Sequence, residues 1–286
     1  ANSTLVNSGA SISANGGSLA GTTTINKGGL VSATSNTALS GTVNDAGTLS
    51  GGTVVSGAQL NVNVSGVASG VNISGGNASI QGKAYGLTVQ SSFQSSGGII
   101  WVESTGVASG TLVTNNGSIF VSSGGFVSGT LLSGTNVVVV SGVSNVHESL
   151  NLFSGSVAQD TTLANIGAYT YVVEGAKESG TIVGSGASDY LVGGNSYGTV
   201  VKSGGRQAVD SGSIASSTTL SSGATLVATS GTLTGVTNVN AGAVVSATSD
   251  TKLAGTIIDS GMVSGGKLTS GATLNVLSGG SGRVTV

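Results

Sequence analysis

A repeat of about 19 residues runs through this chain and restricts the fold more than any short motif does. Stretches opening Thr-x-aliphatic begin at Thr111, Thr181, Thr199, Thr218 and Thr256, and neighbouring starts differ by 199 − 181 = 18 and 218 − 199 = 19 residues. Two glycine-rich turns recur within each repeat, as Ser203-Gly204-Gly205 and Ser211-Gly212, with Gln207 and Val209 alternating between them. An earlier repeat does the same with Asn116-Gly117, Ile119, Val121 and Ser123-Gly124-Gly125. At longer range, the run from Val31 to Thr42 returns from Val245 to Thr256, an offset of 245 − 31 = 214 residues, or about eleven repeats.

Segments rich in Val, Ile and Thr, broken by Gly every ~8–10 residues, are too short for helices and suit strands. A meander of hairpins would not need the same residue types at the same phase in every repeat. A coil does, because equivalent positions stack in ladders. The expectation is an all-β, right-handed parallel β-helix (β-solenoid) forming one domain over residues 1–286. At the spacing of neighbouring strands, about 15 rungs would span roughly 70 Å. Inward positions are expected at Val31 and Ala33, Leu60 and Val62, Leu112, Ile119 and Val121, Leu226 and Ala228, and Leu274 and Val276. The composition agrees: 51 of 286 residues are Gly and none is Pro, and every internal rung needs its N–H groups for the ladders on either side. The repeat is least regular near 77–100 and 143–175, where much of the unusual chemistry lies: Tyr85 and Phe93, then His147, Glu148, Phe153, Asp160, Tyr169 and Tyr171.

Charge and composition exclude several functions. A net charge of −2, with 6% charged residues, leaves nothing to neutralise a row of phosphates, so no nucleic-acid partner is expected. The longest aliphatic run, Val137 to Val140, is far short of the ~20 residues of a membrane-spanning helix. The N-terminus lacks the basic and apolar regions of a signal peptide. Without cysteine there are no disulfides and no thiolate metal sites.

The turn–strand–turn repeat running from Thr199 to Gly212 resembles that of the AIDA-type self-associating autotransporter passengers, the AIDA-I-like and TibA-like adhesins, and the likeness covers nearly the whole chain. Many turns here depart from the family pattern in carrying one Gly rather than two, and the middle repeats are degenerate. The resemblance implies a passenger fragment carried through the periplasm and across the outer membrane by a C-terminal β-barrel missing from this sequence, and displayed on the bacterial cell surface. It also implies self-association between passenger rods in aggregation and biofilm formation, attachment to a host-cell surface receptor or glycan, and modification of serines by a protein O-heptosyltransferase. Acceptors would be exposed serines in Gly-flanked turns: Ser8, Ser56, Ser123, Ser133, Ser203, Ser211, Ser222, Ser260 and Ser278. The same residues also suit turns for their local hydrogen bonding.

No catalytic, cofactor-binding or metal-binding residues are expected. His147 and Glu148 are adjacent, so on a strand they point to opposite faces, and no second His completes a metal site. Parallel β-helices also carry polysaccharide lyases and hydrolases, which need clustered carboxylates. Glu103, Glu174 and Asp210 are the candidates if they occupy equivalent positions after a core strand. Glu174 and Asp210 would then lie two rungs, roughly 10 Å, apart, slightly beyond the ~6.5–9.5 Å of an inverting glycosidase pair. Among the aromatics, Trp101 and Phe120 are candidate surface contacts if they alternate outward; filling a wider central rung is the alternative. The recurring Thr could form an outward column of the kind that matches an ice lattice, although a second Thr column is absent from most repeats.

Overall fold

The computed structural model describes residues 1–91, 98–133 and 149–286. His147, Glu148, Phe93 and the Val137–Val140 run lie outside the described residues. The chain divides into two compact units, Ala1–Asn151 and Leu152–Val286.

Each unit is a parallel β-solenoid with three short strands per turn, and no helix occurs among the described residues. One turn of the second unit consists of Arg206–Val209, Ile214–Ser216 and Thr219–Leu220. The first of these pairs in parallel with Ser188–Val192 and with Thr225–Ala228 in the adjacent turns. Among the described residues, third strands mark seven turns in the first unit, from Gly17–Leu19 to Leu131–Leu132, and seven in the second, from Thr162–Leu163 to Thr273–Val276. The stretch 77–90 keeps this pattern as Asn77–Ile80, Lys83–Tyr85 and Thr88–Gln90. The step from Asn77 to Ile99, its register partner, is longer than usual at 99 − 77 = 22 residues.

In-register pairing carries each inward side chain onto its equivalent one turn on. Val43, Leu60, Ala78, Ile100 and Ile119 form one such column in the first unit, all buried. Val172, Leu191, Val209 and Ala228 form another in the second. Each large aliphatic in these columns removes enough apolar surface from water to contribute ~1.5–3 kcal/mol. Of the inward positions expected from sequence, Val31, Leu60, Val62, Ile119, Val121, Leu226 and Ala228 are buried, and Ala33 is half-buried.

Three expectations are corrected. Leu112 points outward: its strand has only two residues, and the preceding Thr111 turns into the core, which sets Val113 inward and Leu112 out. Leu274 and Val276 follow the column of Ile257 and Asp259, but no later turn among the described residues covers them, and Val276 stays 49% exposed. The threonines beginning the repeats are buried rather than displayed. Thr111 and Thr130 in the first unit, and Thr161, Thr181, Thr199, Thr218 and Thr237 in the second, all face the interior, so this column cannot present a lattice to solvent. Thr256 lies one residue out of phase with them, because Asn238 pairs with Ile258 and puts Ile257 in the inward column.

The corner before each buried threonine is taken left-handed. Gly180, Gly198 and Gly235 hold φ of 67°, 67° and 61°, and Ser217 holds 60° at the equivalent corner. A side chain costs ~1–2 kcal/mol in that conformation, offset in part by the greater freedom glycine has when unfolded. Ser217→Gly is therefore expected to stabilise the chain by about 0.5–1 kcal/mol, seen as a higher thermal midpoint. An unchanged or lower midpoint would show that the serine at this corner is not strained.

Candidate functional site

The turns between third and first strands build the most regular surface feature. In the second unit, Gly186 N–H donates to the Gly204 carbonyl at 2.9 Å, Gly204 to Gly223 at 3.0 Å and Gly223 to Gly242 at 3.0 Å. A Cβ on Gly204 would meet the Ser185 hydroxyl oxygen at 2.6 Å, and one on Gly223 would meet that of Ser203 at 2.7 Å. Each serine hydroxyl therefore occupies the place left by the missing side chain of the next turn. This close approach, together with φ of 74° and 76°, is why Gly204 and Gly223 follow serine there.

Ser203 and Ser222 are exposed and stand in one column with Ser185. Ser8, Ser56, Ser123, Ser211 and Ser278 are also exposed in turns, whereas Ser133 and Ser260 are half-buried. Ser8 repeats the arrangement over Gly28. Exposed turn serines outside the expected set include Ser104, Ser154 and Ser185, whose hydroxyls lie over Gly124, Gly175 and Gly204 of the next turn, and Ser65 and Ser270. The Ser185-Gly186 and Ser154-Gly155 dipeptides carried the same signal as those chosen.

Trp101 and Phe120 occupy facing outward positions on neighbouring first strands. Their rings stack with centroids 4.4 Å apart and planes 17° from parallel, and Trp101 is 39% exposed. In the second unit, Tyr190 has Tyr171 6.2 Å away on one side and the Arg206 guanidinium 5.6 Å above its ring on the other, a cation–π arrangement.

The carboxylates singled out from sequence do not form a cluster. Glu103, half-buried, follows the first strand Ile99–Val102 and accepts from the Ser122 hydroxyl at 3.3 Å. Glu174 and Asp210 follow the first strands Tyr169–Val173 and Arg206–Val209, with Ser188–Val192 paired between them, so two strand spacings, about 10 Å, separate those turns. The acids that do meet are Glu178 and Asp189, inside the second unit and 1% and 0% exposed. Asp189 accepts from the Thr170 hydroxyl at 2.7 Å and from the Gln207 amide at 2.9 Å. Burial holds both carboxyl groups above the usual carboxylate range, and for Glu178 the negative charge of Asp189 adds to the effect. Their enclosure gives no polysaccharide a path to them. Among the described residues no group of three or more His, Cys, Asp and Glu side chains could hold a metal, and no helix is long and apolar enough to cross a membrane.

Fold and surface together define a glycine-punctuated parallel β-solenoid that displays stacked Ser-Gly turns. No protein-family model matches the sequence, and no curated protein matches it. Among solved structures the chain is similar to a TibA fragment, crystallised after TibC-catalysed hyper-glycosylation, with a TM-score of 0.54, 25% sequence identity, and coverage of 100% of this chain and 96% of that one. The TibA-like resemblance carried by the repeats therefore extends to the three-dimensional structure.

Proposed function

We propose that this chain is the structural and adhesive passenger of a bacterial surface autotransporter, and that serines in its Ser-Gly turns carry O-linked heptoses added by a dedicated glycosyltransferase. The supporting observation is the column of exposed Ser185, Ser203 and Ser222, each followed by glycine, in a fold shared with a hyper-glycosylated fragment. A chain with 6% charged residues is poorly defended against indiscriminate association, and a sleeve of sugar solubilises it. Adhesion would act through many weak contacts repeated from turn to turn, between passengers or with a host receptor or glycan, and these add by multivalency.

The test is the intact mass of the chain made with and without an active protein O-heptosyltransferase, followed by peptide mapping. Additions in whole heptose increments on the turn serines are expected, and Ser203→Ala with Ser222→Ala removes two of them. An unmodified mass in the presence of a transferase shown to be active on another passenger would overturn the glycosylation. Unchanged settling of cells displaying the chain, compared with cells lacking it, would overturn the adhesive role.

A further inference from the structure

The interior of the second unit contains polar chemistry that neither adhesion nor glycosylation uses. Glu178 lies in the strand Lys177–Ser179, in register with Ala158 on one side and Ser196 on the other. Asp189 lies in Ser188–Val192, in register with Thr170 and Gln207. The Gln207 amide nitrogen donates to Asp189 and, at 3.1 Å, to the Ser196 hydroxyl, while the Thr218 hydroxyl donates to the Gln207 carbonyl oxygen at 3.2 Å. This network crosses successive turns, and all of its members are buried.

The donors are unequally shared. Each oxygen of Asp189 receives one, whereas neither oxygen of Glu178 receives one in good geometry, the buried Thr181 hydroxyl being the donor that faces it. Two ionised carboxylates side by side, one so poorly supplied with donors, would be costly in a buried site. A single proton resolves this: carried on Glu178, it supplies an O–H that donates to Asp189, whose own donors favour its charged form. The other charged and titratable side chains on the pair's strands and on the strands flanking them are Tyr169, Tyr171, Lys177, Tyr190, Tyr197 and Arg206. All are exposed or half-buried on the outer face, so Asp189 is the charge that bears on Glu178.

We propose that Glu178 and Asp189 share one proton inside the solenoid, and that this buried hydrogen bond is a pH-operated latch on the turns from Thr161 to Thr218, closed while the proton is held and released when it is lost. The folded chain keeps the Glu178 proton to higher pH than the unfolded chain does. The stabilisation is therefore complete in acid and disappears as pH rises through the folded-state value.

The experiment measures amide hydrogen exchange of the full chain, corrected for the intrinsic pH dependence of exchange, from about pH 5 to about pH 10. In the native chain, opening of the strands between Thr161 and Thr218 is expected to increase by up to about tenfold per pH unit from the ordinary carboxylate range up to the folded-state value and to level off above it, as loss of one proton on opening requires. Ile99–Val102 in the first unit, read above about pH 7, serves as the reference. Glu178→Gln, whose amide donates to Asp189 without a proton to lose, is expected to remove the slope. Should that variant fail to fold, Glu178→Ala installs the residue found at the register-equivalent Ala158 and should remove it too. A native chain without a slope, or a variant that keeps it, overturns the proposal. So does calcium chloride at neutral pH protecting the native strands but not those of Glu178→Gln, since a cation would then hold the pair. None of these outcomes depends on whether the turn serines carry sugar.

Discussion

An Ile100→Ala chain is expected to unfold about 2–5 kcal/mol more easily than the native one, the range for emptying a fully packed aliphatic position. Ile100 is fully buried and stacked between Ala78 and Ile119. Because the small neighbour Ala78 cannot expand into the space, the cavity persists. In a solenoid each turn is held chiefly by its two neighbours, so the damage should remain local. Amide protection is expected to fall first in Asn77–Ile80 and Ser118–Val121, with Arg206–Val209 unaffected. The adjacent residue gives the contrast, because Trp101→Ala loses an outward stack worth ~0.5–1.5 kcal/mol and leaves the core intact. Denaturant titration of both variants distinguishes the two faces of this one strand. Equal losses would mean that the alternation does not govern its packing.

The second large effect depends on pH and concerns the first unit. Asp45 is fully buried, in register with Ile25 and Val62. One of its oxygens accepts from Gly47 N–H at 2.9 Å, while the other has no hydrogen-bond partner. Burial pushes its carboxyl up from 3.8 to about 6, against the lowering influence of that N–H. The folded chain therefore holds a proton in a range where the unfolded chain has released it. The associated stability is complete below about pH 4 and is lost as pH rises through about 6. At about 1.4 kcal/mol per unit, the difference amounts to about 3 kcal/mol. Asp45→Asn keeps an acceptor for Gly47 and has nothing to titrate. In denaturant titration this variant is expected to lose about 3 kcal/mol less stability than the native chain between about pH 4 and about pH 7, and to be the more stable of the two at the upper end. A native midpoint that rises with pH over this range would contradict the assignment. Asp259, buried and bonded to Gly261 N–H in the second unit, shifts in the same direction.

The parallel solenoid was legible because identical residue types recur at one phase, and Leu60, Val62, Ile119 and Val121 could be placed inward on alternation alone. The phase was misread at two-residue strands. Thr and Val have nearly the same shape, so Thr111-Leu112-Val113 can be threaded with either set inward, and the structure turns Thr111 and Val113 into the core. The same ambiguity hid the register of Thr256. The buried acids were concealed by their setting, since Lys177-Glu178-Ser179 reads as a polar surface strand. Aligning the repeats would have placed Glu178 in phase with Ala158, and Asp189 in phase with Thr170, Gln207 and Leu226, positions that are all buried. The turn serines were legible as Ser-Gly pairs, but the fit of a hydroxyl over the following glycine needs two turns in space.

The column formed by Ser185, Ser203 and Ser222 sets a pitch as well as a place. Consecutive members are held one strand spacing apart, about 4.8 Å, close to the width of a single pyranose ring. Anything attached to all three stands shoulder to shoulder, and its neighbour decides how it can lean. The backbone of this chain is thus a ruler whose graduations fix the density of whatever coats it.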